Sequence, residues 1–393
     1  MHQVRIGLVL PSTPAYSETF FRSKIAGLQA SGFEVRLFVG KCKADFDLCP
    51  VHEAPPVVAS KTVQLFLAAW VLALLLLRAP RRAYRLFRLE RASGSSWRKA
   101  IENLYLNSHI LPHRLDWLHF GFATMALRRE NLAKAIGAKM AVSFRGYDVC
   151  LYPLKHPGCY HQLWQRVDKV HTISDDLLEV GRSLGLPNSV PYQKITPAID
   201  IHRFTPSNPT KSLKQPLCIL TVARLHWKKG LEYTLEALAL LQQKSVDFRY
   251  TIIGEGSEYE RLCFAAHQLG IKERVVFAGR QSPEAVIAAM DEADLYLQYS
   301  VQEGFCNAVL EAQAMGLLCI VSDAEGLPEN VLHGQTGWVV PKRRPDLLAA
   351  KIEEVLQMEP SAHDSIRRQA VERVRREFNL EKQQREFLEF YLS

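Results

Sequence analysis

The sequence predicts an α/β protein of two doubly wound, parallel-sheet domains that face each other across a cleft. Three observations predict it. Strand-like apolar runs alternate with amphipathic helical stretches, and this alternation occurs in two blocks. A Pro-, Ser- and Lys-rich segment at 202–216 separates the blocks and reads as a linker. The length, 393 residues, exceeds the size at which one hydrophobic core keeps growing.

In the first block Val4–Leu10 reads as a strand, Thr19–Ser31 as a helix stopped by Gly32, and Phe33–Val39 as a second strand. After Pro216 come a buried strand at Leu217–Val222, an amphipathic helix at Leu231–Gln242 and a strand at Tyr250–Ile253. A helix at Glu258–Leu269, a strand at Val275–Ala278 and a helix at Glu284–Ala289 follow. The block closes with Leu295–Gln298 extended, Ala308–Met315 helical and Leu318–Ser322 extended. Such Rossmann-like blocks bind ligands at the carboxyl ends of their strands. The expected domains are 1–198, 199–378, and a tail at 379–393 that the break at Asn379 lets return to the first domain.

Apolar residues make up 48% and charged residues 23%, which is globular composition with little room for disorder. A formal charge of +8 calls for anionic partners: nucleotide phosphates, a phosphorylated acceptor, nucleic acid or acidic lipid. The eight cysteines form no CxxC pair, as expected of reduced thiols in a cytoplasmic compartment. The N-terminal apolar run lacks a long h-region and a small-residue cleavage site, so it reads as a strand and not as a secretory signal.

One stretch departs from an ordinary α/β layer. Val63–Leu77 is apolar at every position except Gln64, yet it falls short of the roughly 20 residues that span a bilayer. Arg78, Arg81, Arg82, Arg85, Arg88 and Arg91 follow at mostly three- and four-residue spacing. The segment 63–91 suits a helix lying on an anionic membrane surface, which would make the protein peripheral on the inner face of the plasma membrane. A helix buried under the first sheet, followed by a solvated basic face, is the competing reading.

The residues with chemical potential cluster in the second block. In SVQEGFCNAVLEAQAMG (300–316), Glu303 precedes a Gly-Phe turn and Glu311 lies eight residues later on the next helix. Gly304 permits close backbone approach to a ligand, and a helix starting near Asn307 offers amides and a positive dipole end to phosphate or sugar oxygens. A capping role for Glu303 and a solvated one for Glu311 stand as the plainer alternatives. In LTVARLHWKKG (220–230), Arg224 and Lys229 flank a loop where two cations can hold a diphosphate and neutralise its charge as it leaves. Lys228 shows that a basic surface loop is also open. IIGEGSE (252–258) supplies Gly254 and Gly256 at a third loop on the same edge. His109 and His113 are four apart, but Pro112 and the lack of a nearby acid argue against a metal pair, so no metal is expected. A nucleic-acid groove would interleave cations with aromatics, whereas here they concentrate beside an apolar helix.

These motifs closely resemble the retaining GT-B glycosyltransferases of family four. ARLHWKKG resembles their phosphate-binding loop, VVFAGRQ their base-contacting strand and turn, EGFCNAVLEAQAMG their two-glutamate motif, and DAEGLPENVLHGQTGWVVP (323–341) their next segment. PAYSETFFRSKIAGLQASGFEV, DWLHFG and SFRGYDV are similar to the exopolysaccharide and lipopolysaccharide branch. The resemblance implies that Glu303, Arg224 and Lys229 serve catalysis, with Glu303 on the sugar hydroxyls and the two cations on the diphosphate. It implies donor contacts from Glu311 to the ribose, from the backbone at Gly304 and Phe305 to sugar and phosphate, and from Gly279 and Arg280 to the base, with Cys306, Asn307 and Gly254 also on the donor. Ser17, Glu18 and His119 fall on the acceptor side, although His119 could equally pack in the core. The resemblance further implies a nucleotide diphosphate sugar as donor, UDP- or GDP-linked, with no further cofactor, and a lipid-linked or saccharide chain as acceptor. Many relatives carry His-Gly-x-Asp where this chain reads Arg145-Gly146-Tyr147-Asp148. An arginine cannot act as a neutral base. Either Arg145 holds the sugar or leaving group electrostatically, or it pairs structurally with Asp148, or the chain binds nucleotide sugars without turnover.

Overall fold

The computed structural model describes residues 3–14, 19–43, 46–207 and 212–393. Ser17 and Glu18 lie outside the described residues. The chain divides into two units, Met1–Ile195 with Gln384–Ser393, and Thr196–Gln383. The divisions fall a few residues from the expected 198/199 and 378/379.

The first unit is a seven-stranded parallel sheet of β1 (Arg5–Ser12), β2 (Glu34–Lys41), β3 (Val51–Glu53), β4 (Trp117–Phe120), β5 (Lys139–Phe144), β6 (Lys169–Thr172) and β7 (Tyr192–Lys194). Its strand order is β3-β2-β1-β4-β5-β6-β7. The order runs outward from β1 in one direction and then reverses at β4, which makes β1/β4 a topological switch point. Helix α1 (Thr19–Ala30) joins β1 to β2. Between β3 and β4 the chain inserts α2 (Lys61–Arg78), α3 (Pro80–Ala92) and α4 (Trp97–Leu106). The apolar run expected at 63–77 is thus one continuous helix, slightly longer than the run itself. Leu75 is its one buried residue, so the competing reading of a helix under the sheet does not hold.

The second unit repeats the design with β8 (Leu217–Val222), β9 (Phe248–Ile253), β10 (Val275–Gly279), β11 (Leu295–Gln298), β12 (Leu318–Ser322) and β13 (Trp338–Val340). All are parallel, in the order β10-β9-β8-β11-β12-β13. Buried Ile219, Ile252, Leu297 and Ile320 pack against Leu235 and Leu238 of the helix Leu231–Gln243 on one face. On the other face Tyr296, Val321 and Val309 form a second apolar layer. Near-continuous apolar strands covered on both faces are what a parallel sheet requires.

Asn379 shapes the C-terminal return. Its side chain donates to Arg375 O (2.8 Å), satisfying the end of the helix Pro360–Glu377, and accepts from Lys382 N (2.8 Å), opening the helix Leu380–Leu392. That last helix places Phe387, Phe390 and Tyr391 in the core of the first unit beside Ile25, Leu37 and Trp117. Trp117 Nε1 donates to Tyr391 O (3.0 Å), and Lys169 Nζ to Phe390 O (2.9 Å).

A buried polar chain runs beneath this helix. His171 Nε2 faces Ile195 O (3.0 Å), which can only accept, so the proton sits on Nε2 and Nδ1 accepts from Ser143 (2.7 Å). Ser143 Oγ then accepts from His119 Nε2 (2.7 Å), leaving His119 Nδ1 to accept from Tyr391 OH (2.6 Å). Burial, together with the nearby Lys24, holds both histidines well below their ordinary pKa and therefore neutral. His119 has no exposed surface, which corrects its expected placement toward an acceptor.

Tyr391→Phe leaves His119 Nδ1 without that hydroxyl and is expected to cost about 1–3 kcal/mol in urea unfolding. Phe390→Ala should cost more, about 3–5 kcal/mol, because it opens a cavity under the sheet.

Candidate functional site

The reversal of strand order in the second unit lies between β8 and β11, and the carboxyl ends of the strands at such a switch point are where open α/β sheets bind ligands. Arg224 and Lys229 follow β8; Glu303 follows β11. Lys229 Nζ and a Glu303 carboxylate oxygen form an ion pair, with the side chains 16% and 14% exposed, so solvent screens it less than a surface pair. Burial works against the Lys229 charge, but the Glu303 carboxylate outweighs it and raises the ammonium's pKa. Arg224 is exposed and its charge reaches Lys229. Lys228 contributes through its backbone: its carbonyl accepts from Val301 N (2.7 Å) and Gln302 N (3.2 Å), tying the two loops together.

The neighbouring loops fix the position of Glu303. Ser300 Oγ lies 3.5 Å from its carboxylate. Glu303 N donates to Glu325 Oε2 (2.6 Å), and Gly326 N donates to Glu303 O (3.0 Å). Lys342 holds the other Glu325 oxygen at 3.4 Å. A Cβ on Gly326 would stand 1.9 Å from Gly304 O, so the approach of these backbones depends on a missing side chain. Gly254, with φ +144° and a virtual Cβ 1.9 Å from Ala223 O, plays the same part where the loop after β9 meets the loop after β8. Glu325, Lys342 and Asn330 were not singled out from sequence. The available signal was a charged residue beside a glycine after β12, at the same sheet edge.

Other predicted site residues are placed as follows. The helix starts at Asn307, with Cys306 at the N-cap position and no side-chain capping bond. Cys306 N donates to Asn330 Oδ1 (3.0 Å), so this amide is engaged within the protein. The Phe305 ring is buried and packs on Phe378 with ring centroids 5.7 Å apart. Glu311 is half-buried on this helix, and burial lifts its pKa to about 7, against a lowering by Arg203. Arg280 is exposed just after β10.

In the first unit, the Arg145 guanidinium lies over Phe20 (3.7 Å to the centroid) and Phe21 (4.6 Å). Asp148 accepts from the backbone of Arg145 (3.0 Å) and Ala123 (2.9 Å), so the expected link between Arg145 and Asp148 runs through the main chain. His109 and His113 are lowered to about 3 and about 4, chiefly by burial. Among the described residues no group of three His, Cys, Asp or Glu is placed to hold a metal ion.

A sheet whose charged loops gather at its switch point is suited to a nucleotide's phosphates, and two parallel-sheet α/β units in one chain have the fold of the GT-B glycosyltransferases. Residues 205–373 match the family described as Glycosyl transferases group 1, and the chain carries a glycosyltransferase domain of that family. Over 96% of both chains it is 29% identical to the putative colanic acid biosynthesis glycosyltransferase WcaL of Escherichia coli K12. It is 30% identical to the amylovoran biosynthesis glycosyltransferase AmsK of Erwinia amylovora over 59% of each chain. The fold superposes on Anabaena Alr3699/HepE in complex with UDP and glucose with a TM-score of 0.71 and 16% identity, covering 100% of each chain.

Between about pH 4.5 and 7 the folded chain retains a proton on Glu311 that the unfolded chain has released. Stability should therefore fall as pH rises through this window, and Glu311→Gln should flatten that slope in urea titrations. Gly326→Ala should displace residues 303–305 and weaken nucleotide binding at least about tenfold by calorimetry, the ratio that about 1.4 kcal/mol of lost contact gives.

Proposed function

We propose that this chain is a retaining hexosyltransferase. It moves a sugar from a UDP- or GDP-sugar to a lipid-linked or saccharide acceptor in surface or exopolysaccharide synthesis, at the inner face of the plasma membrane. The observation that carries the reading is the Lys229–Glu303 pair at the β8/β11 switch point. WcaL and AmsK, both named for exopolysaccharide synthesis, support the pathway class, and HepE, bound to UDP and glucose, supports a nucleotide-sugar donor.

In this reading Lys229 exchanges Glu303 for the incoming diphosphate, and the released carboxylate takes the donor sugar's hydroxyls. Arg224 joins Lys229 on the phosphates, Glu311 accepts from the ribose diol, and Arg280 meets the base. The bond from C1 to the phosphate oxygen breaks with its electron pair going to that oxygen. The acceptor oxygen attacks C1 from the same face and passes its proton to the departing phosphate, so configuration is retained. The developing charge is met by fixed cations whose reorganisation cost is small. The scheme uses no histidine base, covalent intermediate or metal. Arg145, standing where relatives carry histidine, motivates a second reading: nucleotide-sugar binding without transfer.

Calorimetry and product release with UDP-, GDP- and ADP-sugars test it. The expected outcome is binding of a UDP- or GDP-sugar with slow hydrolysis. Glu303→Ala should abolish that hydrolysis, and Lys229→Ala should reduce it about a hundred- to a thousandfold. Binding with no turnover, even when lipid-linked acceptors are supplied, would overturn transfer in favour of the second reading.

A further inference from the structure

The helices inserted between β3 and β4 carry an arrangement that glycosyl transfer does not explain. Helix α2 rests on α3 and α4 through one side, and the opposite side presents Leu65, Phe66, Trp70, Leu76 and Leu77 to solvent. Phe66 is 78% exposed, Trp70 66% and Leu77 81%. At 100° per residue these positions form one stripe, with Ala69 and Ala73 between them, on the face where a surface helix ordinarily places charges. Such a contiguous apolar face needs a cover.

Charge identifies the cover. From Lys61 to Ile101 the sequence holds nine cations and one acid, an excess of eight that equals the formal charge of the whole chain. The acid, Glu90, is buried and accepts from Asn103 (2.8 Å), Asn131 (3.0 Å) and Ser95 (3.1 Å), so it neutralises nothing at the surface. Arg82 is turned inward, bonded to Leu111 O (3.0 Å) and His113 O (2.8 Å). These contacts hold α3 firmly on the unit while Arg81, Arg85, Arg88 and Arg91 stay exposed. Exposed Tyr84 and Trp97, stacked near Arg88 and Arg91, add rings with one apolar and one polar side, the kind that settle at a membrane–water boundary. A second copy of this chain would bring an equal concentration of cations against these arginines; an anionic lipid surface brings the opposite charge.

The ends of α2 determine how it sits. The helix is long and apolar enough by composition to cross a bilayer, and its 18 residues make about 27 Å against a hydrocarbon core of about 30 Å. Both ends, however, are tied to the same unit. Ahead of it, Pro56 O accepts from Tyr105 of α4 (2.5 Å); behind it, buried Ala79 leads directly into α3. A crossing helix would need its ends on opposite sides of the membrane.

We propose that α2 lies in the plane of an anionic membrane surface, with its Leu65-to-Leu77 face in the acyl boundary and the α3 arginines on lipid phosphates. This deepens the membrane part of the function proposed above and is independent of its transfer chemistry. The test is flotation of the full chain with phosphatidylglycerol or phosphatidylcholine vesicles, with donor-sugar binding followed in parallel as a check of folding. Binding to phosphatidylglycerol alone is expected. Arg85→Glu/Arg88→Glu should weaken it about thirtyfold or more, at roughly a tenfold per 1.4 kcal/mol and about 1 kcal/mol per cation near the surface. Phe66→Glu/Trp70→Glu should abolish it, with donor binding intact in both variants. Bromine near the glycerol end of the lipid should quench Trp70 more than bromine at the chain end, with Trp70→Phe identifying the signal. Strongest quenching at the chain end would show a crossing helix and overturn the in-plane placement. Equal binding to both lipids, no binding, or a dimer that Phe66→Glu/Trp70→Glu dissociates in place of vesicle binding would overturn the proposal as a whole.

Discussion

Lys229 and Glu303 are 74 residues apart in sequence, and what brings them together is the hydrogen-bonded adjacency of β8 and β11. A parallel sheet wound in both directions from β8 must leave its two central loops diverging at one edge, because the crossover helices depart to opposite faces. The charged site occupies that divergence. Every other device around it, from the Lys228 carbonyl to the bond between Glu303 and Glu325, sets the separation of loops that topology has already placed side by side. The ion pair also occupies each side chain with the other.

The second unit was largely readable because its strands are short, apolar and bounded by turn residues. Leu217–Val222, Leu295–Gln298 and Leu318–Ser322 fall where periodicity put them, and the helices Leu231–Gln243 and Tyr259–Gln268 differ at their ends by a residue or so. Lys229 and Glu303 could be named from sequence since each lies in the loop after such a strand. Their mutual contact could not, because strand order is a tertiary property that no local window contains.

Other parts of the site were hidden for the same reason. Glu325 acts on a backbone amide 22 residues earlier, and Asn330 takes the Cys306 amide across 24 residues; both look like ordinary polar loop residues along the chain. His119 was ambiguous from sequence, since a histidine after an apolar strand residue can face a ligand or a core. Its partners, Ser143 and Tyr391, come from a neighbouring strand and from the far end of the chain. For α2 the sequence showed the apolar run, but which side it would bury depended on where α3 and α4 packed.

The last helix has a consequence for how the molecule is made. The first unit is discontinuous: its core includes Phe387, Phe390 and Tyr391, which are translated after the whole of Thr196–Gln383, itself a single uninterrupted stretch. Synthesis therefore delivers a complete second half while the first half still has an open apolar slot along β1, β2 and β4. Nascent-chain order is inverted relative to sequence order: the part translated first is finished last.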